Sequence, residues 1–289
     1  MWLESMIDFY TAQLPMIAIS FPVLLAPFVW LERRRPVATP PSWRDYGKNF
    51  GIFISTQAIA APTAISAAHA SAAIRAVAPW PTLDFTFADI GVGLPILDAV
   101  LRVLAMIFLP LLLHDVWFYW SHRLEHKLPW LWRFHRLHHS DPNMNASTYA
   151  RDHFLQTVWR SLFAAFTLGL FVDIELRQAE QAALLSSLFL GLWSQFYHSA
   201  ARIRLPWLHY ILVTPQVHRI HHSLSPRHHD KNFADVFPVF DLLFGTFYRP
   251  QAEEFPATGL ADQVAPANWW EAQCEPLRRV PRASPEITG

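Results

Sequence analysis

Leu111-Leu112-Leu113-His114-Asp115-Val116-Trp117-Phe118-Tyr119-Trp120-Ser121-His122-Arg123-Leu124-Glu125-His126 joins two kinds of sequence. Its first part ends an apolar run that begins near Ile96, and its second part carries two histidines in an HxxxH spacing. A run from Ile96 to Trp120 is long enough to cross a bilayer, which needs about 20 apolar residues. On a helix, residues i and i+4 share one face about 6 Å apart along the axis. His122 and His126 therefore leave the end of a membrane helix aimed at one point.

Other stretches repeat the membrane signal. Phe9–Leu31 holds no charged residue and stops at Glu32-Arg33-Arg34-Arg35-Pro36. The residues before it include Glu4 and Asp8 but no Lys or Arg, which predicts a retained span and not a secretory signal. The charge-free run Asn49–Ile74 reads as a second span and Ile96–Trp120 as a third, with Asp98 and Arg102 spaced to pair at its outer end. Phe154–Val172, interrupted by Arg160, and Gln181–Ala201 read as a fourth and fifth, or as a buried hairpin that does not cross fully. Arg160 is costly in lipid.

Composition agrees with a chain that is partly in lipid. Of 289 residues, 52% are hydrophobic and 16% charged, against about 25% charged in ordinary soluble domains. Such a chain has ample apolar surface to bury, so disorder is excluded. The net charge of zero gives no sign of a nucleic-acid partner. A single cysteine, Cys274, rules out an intrachain disulfide and a cysteine-ligated metal site. On the five-span reading, 19 of the 23 Lys and Arg fall on one face and two on the other. The positive-inside rule then predicts an N-terminus outside, a C-terminus in the cytosol and the histidines on the cytoplasmic face. The expected organisation is N-terminal membrane helices over 1–110, a histidine-box region with further membrane helices over 111–250, and a cytosolic tail over 251–289. Pro and Ala enrichment from Pro250 onward predicts a loosely ordered end, Pro281–Gly289 most of all.

The histidines form boxes. His135, His138 and His139 make HxxHH, and His218, His221 and His222 make it again. With His122, His126 and the isolated His198, nine sit on the predicted cytoplasmic side. One zinc takes three or four protein ligands, so nine histidines fit two metals with four or five each. Imidazole suits zinc, copper, iron and nickel alike. The alternative, a histidine-rich surface without metal, does not account for the repeated spacing.

These boxes resemble those of the fatty acid hydroxylase / sterol desaturase superfamily of integral-membrane oxygenases. The matching strings are Asp115 to His126, Phe134-His135-Arg136-Leu137-His138-His139-Ser140 and Thr214-Pro215-Gln216-Val217-His218-Arg219-Ile220-His221-His222-Ser223. They end with Asn232 and Asp241-Leu242-Leu243-Phe244-Gly245-Thr246-Phe247. The resemblance covers about Leu111–Tyr248. It departs at Ala234, where relatives commonly have Gly, at Phe240, where they have Trp, and at Ser194, where some have His. It implies an all-α membrane bundle of four to five spans with a cytosolic histidine-rich cap. It also implies a di-iron centre using O2 and two electrons to hydroxylate or desaturate a lipid, whether fatty acyl, sterol or related. The nine histidines become its metal ligands and catalytic residues, and zinc is expected to displace iron in purified material. A glyceryl-ether monooxygenase of the same superfamily fits the layout around His198 and Thr214-Pro215.

Other residues invite roles. Asp115 is placed to accept from a ligand imidazole, and His114 reads as a buried polar group near it. His153 stands open as a ligand, while His209, His228 and His229 read as surface or rim and His69 as remote. The aromatics Trp117 to Trp120, Trp193, Phe196 and Tyr197 form either an interfacial belt or the lining of a lipid channel. No fused ferredoxin or cytochrome segment is visible, so electrons are expected from a separate ferredoxin- or cytochrome-type partner. Twenty Arg against three Lys suggest a GC-rich bacterium and hence its inner membrane. A membrane zinc hydrolase lacks its HExxH motif, and a metal transporter would place ligands along the bilayer midplane.

Overall fold

The computed structural model describes residues 2–77, 83–167, 172–174, 176–261 and 265–277. α1 (Trp2–Asp8) passes through a π turn at Phe9–Gln13 into α2 (Leu14–Arg34), giving one rod of 33 residues. α3 (Trp43–Val77) has 35 residues and α4 (Pro95–Lys127) has 33. At 1.5 Å per residue α4 is about 50 Å long, well beyond the ~30 Å of hydrocarbon in a bilayer. It can cross and still carry its last turns, with His122 and His126, past the apolar layer. Met16 and Ile96 are 70% and 84% exposed on these rods. Side chains of this kind along a whole helix face belong against lipid.

Among the described residues, three helices are long and apolar enough to cross a membrane. The count of four to five spans expected from sequence is not reached by this measure. α6 (Phe154–Thr167) has only 14 residues, about 21 Å. α7 (Leu176–His198) has 23, but its second half turns the buried polar residues Ser194, Gln195 and His198 inward. The hairpin still runs along its neighbours, α6 beside α3 and α7 beside α4. A parallel pair, β1 (Leu83–Phe85) with β2 (Val172–Ile174), joins the α6–α7 turn to the α3–α4 connection. Apart from this ribbon the architecture is the expected all-α membrane bundle with a histidine-rich end. Asp98 and Arg102 turn onto the loop before α4, accepting from Val92 N and donating to Ile90 O.

Three short helices complete the histidine end, with α5 (Pro129–His139) and α8 (Pro215–His221) carrying ligand-type residues and α9 (Val239–Leu243) following them. Buried polar side chains tie these pieces to the rods. Glu32, at the end of α2, has no exposed surface. Its Oε1 accepts from Ala146 N at 2.7 Å and Ala200 N at 2.8 Å, and its Oε2 accepts from Tyr46 OH. Arg151, also fully buried, donates to Leu137 O, Asn49 Oδ1 and Ser140 Oγ. The end of α5 is thereby strapped to α3.

The tail packs more closely than its composition predicts. α10 (Trp269–Cys274) lies on α3, where Gln273 Nε2 donates to Thr56 Oγ1 at 2.7 Å. Residues 281–289 fall outside the described residues.

Glu32→Ala removes the acceptor for two buried amides and a tyrosine hydroxyl. Leaving buried donors unpaired costs ~2–3 kcal/mol, so a fall in Tm of roughly 5–10 °C is expected in detergent. Glu253→Ala, which breaks only exposed pairs with Arg202 and Arg204, should leave Tm unchanged.

Candidate metal centre

Local sequence explains how the boxes meet. Pro129 forces Leu128 out of helical conformation, at φ −100° and ψ 115°, so the chain turns sharply between α4 and α5. The second box then faces the first. Thr214 caps α8 by accepting from Val217 N, and Pro215 occupies its first turn. His218, His221 and His222 follow within two turns.

Ligand nitrogens from the nine histidines gather in two groups, each with its atoms within 4.8 Å of one another. His122, His126, His135, His139 and His221 form one, and His138, His198, His218 and His222 form the other. Each HxxHH box is divided. α5 gives the i, i+4 pair His135 and His139 to the first group and His138 to the second. α8 does the reverse, giving His218 and His222 to the second and His221 to the first. This division follows from 100° per residue, since i+4 returns to the same face and i+3 falls to the other side of it.

The rings are aimed as metal ligands are. In the first group, Nε2 of His135 lies 3.1 Å from Nε2 of His122, His126 and His139. In the second, His198 Nε2 lies 2.9 Å from His218 Nε2 and 3.3 Å from His138 Nε2, and His222 Nε2 is 3.0 Å from His218 Nε2. The far nitrogens of three rings donate outward, His122 Nδ1 to Phe233 O, His198 Nδ1 to Ser194 O and His221 Nδ1 to Lys231 O. Those bonds put the proton on Nδ1 and a lone pair on Nε2, pointing inward. Inward lone pairs facing one another at this range repel unless a cation lies between them. His221 Nε2 is buried with no hydrogen-bond partner, which a metal bond would satisfy. Burial first, then the neighbouring imidazoles, holds His135, His138, His139, His218 and His222 well below the usual histidine range. Burial lowers His221 to about 4. Neutral rings are the form that binds metal, so the donor set fits two divalent ions.

Residues 107–246, which carry all nine histidines, match the family model for fatty acid hydroxylase. This segment resembles a fatty acid hydroxylase domain. The chain is 34% identical to human alkylglycerol monooxygenase over 134 residues, 46% of this chain and 28% of that protein. It is 30% identical to an ornithine lipid hydroxylase of Rhizobium tropici over 162 residues, 55% of this chain and 46% of the other. Human cholesterol 25-hydroxylase is 33% identical over 153 residues, 51% and 53% of the two chains. The matches thus span about half or less of these curated relatives. No solved structure matches the chain.

The remaining histidines lie outside both groups. His153 donates from Nε2 to Gln273 O at 2.9 Å and stacks between Phe134 and Phe154, so it anchors α10. His114 pairs with Asp235 at 2.8 Å. His209 and His228 are buried, not at the surface or rim. His228 is held by Ser223 and Glu254. His229 is exposed.

Asp115 meets no ligand imidazole. It accepts from the backbone amides of Val236 and Phe237. Asp241 accepts from Phe233 N at 2.8 Å and Ala234 N at 2.9 Å. Together they shape the loop whose Phe233 carbonyl orients His122. Asn232 adopts a left-handed φ of 57° and brackets that loop, donating to Val217 O and Tyr248 O.

A cavity of about 270 Å³ adjoins the groups, reached by His122, His138, His198 and His218. Phe118, Tyr149, Leu190 and Gly191 give it apolar wall, and Ser187, Ser194, Arg160 and Asp235 give it polar wall. Of the aromatics flagged in the sequence, Phe118 and Tyr197 line it. Trp120 is 40% exposed, as a residue at a membrane boundary is.

Adding a divalent metal to metal-stripped protein should raise its Tm, by RT ln(1 + [L]/Kd), about 4 kcal/mol at 1,000 times Kd. Chelation should reverse the shift. An unchanged Tm across a full titration would contradict the site.

Proposed function

We propose that the chain is an O2-dependent membrane oxidoreductase that holds two irons and hydroxylates a carbon of a lipid. The observation that carries this reading is the convergence of nine imidazoles, all buried but the half-buried His126, into groups of five and four beside a partly apolar cavity. Relatives named for alkylglycerol, ornithine lipid and cholesterol support a lipid substrate, and their names favour hydroxylation over desaturation. A glyceryl-ether-type monooxygenase is the second reading, favoured by the likeness to alkylglycerol monooxygenase.

Iron is preferred because oxygenation needs a redox metal, which zinc is not; bound iron would supply the O2 activation. His122, His126, His135, His139 and His221 would hold one ion, and His138, His198, His218 and His222 the other. The residues around them keep the imidazoles neutral and oriented and exclude water. The cavity wall from Phe118 to Gly191 seats a hydrocarbon segment beside both groups. Electrons come from a separate ferredoxin- or cytochrome-type protein. The basic-residue asymmetry supports an N-terminus outside and a site on the cytoplasmic face of a bacterial inner membrane. A zinc hydrolase is poorly served, because Glu125 is already bound by Arg160 at 2.8 and 2.7 Å and is no free base.

A Cβ added at Gly191 meets nothing within 4 Å, so a larger side chain there fills cavity space. Lipid analysis of an expressing host grown in oxygen should show a hydroxylated lipid that disappears with His138→Ala. Gly191→Leu should lower its formation at least about tenfold, as misplacing a substrate does, with metal content unchanged. Gly191→Ala should retain most activity. Full product from a folded His138→Ala protein would refute the proposal.

A further inference from the structure

Two ligand-type imidazoles differ from their neighbours in what lies behind them. His122, His198 and His221 donate from Nδ1 to backbone carbonyls. His135 and His138 have no aligned hydrogen-bond partner on their buried Nδ1 atoms, and each faces a carboxylate. Glu125 Oε2 lies 3.1 Å from His135 Nδ1, and Asp152 Oδ1 lies 3.6 Å from His138 Nδ1. The two histidines are three residues apart on α5 and belong to different groups. Both carboxylates also meet one cation. Arg160 grips Glu125 through Nε and a terminal nitrogen, at 2.8 and 2.7 Å, and its other terminal nitrogen lies 3.6 Å from Asp152.

We propose that Glu125, Asp152 and Arg160 are one positioning unit that sets both metal subsites together. Each carboxylate orients one α5 imidazole, and Arg160 fixes the two carboxylates relative to each other. This rests on the two-metal reading above. A carboxylate behind a ligating imidazole fixes its tautomer and raises its basicity. Nine neutral rings also leave the charge of two dications uncompensated in a dry site, and Glu125 and Asp152 return part of it. Without Arg160 these carboxylates would be free to swing toward the metals and displace an imidazole. A guanidinium suits the task because its planar fork binds one carboxylate with two nitrogens and still presents a third. The unit also explains a cation in an otherwise apolar helix, since Arg160 has the buried Glu125 and the half-buried Asp152 to meet it.

The test is cobalt(II) titration of the full-length protein in detergent, with chelator competition and a Tm for each variant. Four-coordinate cobalt absorbs visible light more strongly than five-coordinate cobalt, so the spectrum tells which group empties. Glu125→Gln should weaken the five-imidazole group by roughly 10- to 100-fold and leave the four-imidazole group unchanged. Asp152→Asn should do the reverse. Arg160→Lys keeps the charge but loses the fork, and should weaken both. If Glu125→Gln does not fold, Glu125→Asp decides the matter, because its shorter carboxylate withdraws from His135 and the same selective loss is required. Unchanged affinities in all three variants, or equal losses at both groups with a parallel fall in Tm from either carboxylate variant, would overturn the unit. Wild-type protein that binds fewer than two cobalt ions would overturn the two-metal reading instead.

Discussion

Nine neutral imidazoles converge here, and the lone pairs of His122, His198 and His221 turn inward, an arrangement that calls for something positive between the rings. Nε2 atoms lie 2.9–3.3 Å from one another, too close for facing lone pairs, and with protons held on their far nitrogens His122, His198 and His221 cannot donate to the others. The surrounding structure exists to enforce that arrangement. Pro129 turns α5 back against α4, the Thr214 cap starts α8 at the right residue, and the π turn and long rods bring α2 and α3 alongside.

Buried carboxylates do most of the enforcing, and backbone amides satisfy them. Glu32 receives Ala146 N and Ala200 N, Asp115 receives Val236 N and Phe237 N, and Asp241 receives Phe233 N and Ala234 N. Each joins a helix or turn to a loop that carries or orients a histidine. Amide donors offset part of the cost of burying a carboxyl group, so these groups hold irregular backbone where no regular hydrogen-bond ladder could. Burial works against the charge on Asp141, yet Arg151, Thr148 and Asn49 hold it below the usual carboxylate range. Arg160 extends the same logic to a cation. It sits half-buried in a short apolar helix because Glu125 and Asp152 come to it from α4 and the loop before α6.

Local spacing made the three long helices and the metal-type histidine boxes legible in the sequence. Which histidine of each box joins which group was not, because i+3 and i+4 both lie near the face of residue i. Long-range pairing was not legible. Nothing near Glu32 announces that its partners are Ala146 and Ala200, more than a hundred residues away. Asp115 sits one helical face from the ligands, so its proximity to His122 suggested a direct bond, whereas it acts through the loop at 233–237. His153 has the right residue type near the right membrane end, but its ring is committed to Gln273 in a tail whose composition suggested looseness. Composition registers hydrophobicity and misses the contacts that a single Gln273 makes with Thr56 and Phe154.

The central claim is that the two histidine groups are two metal sites. Anomalous diffraction from crystals of iron-loaded protein, recorded at the iron edge, tests it most directly. The account predicts two peaks per chain, one bounded by His122, His126, His135, His139 and His221, the other by His138, His198, His218 and His222. A single peak between the groups, or iron bound instead at His114 and Asp235, would contradict it.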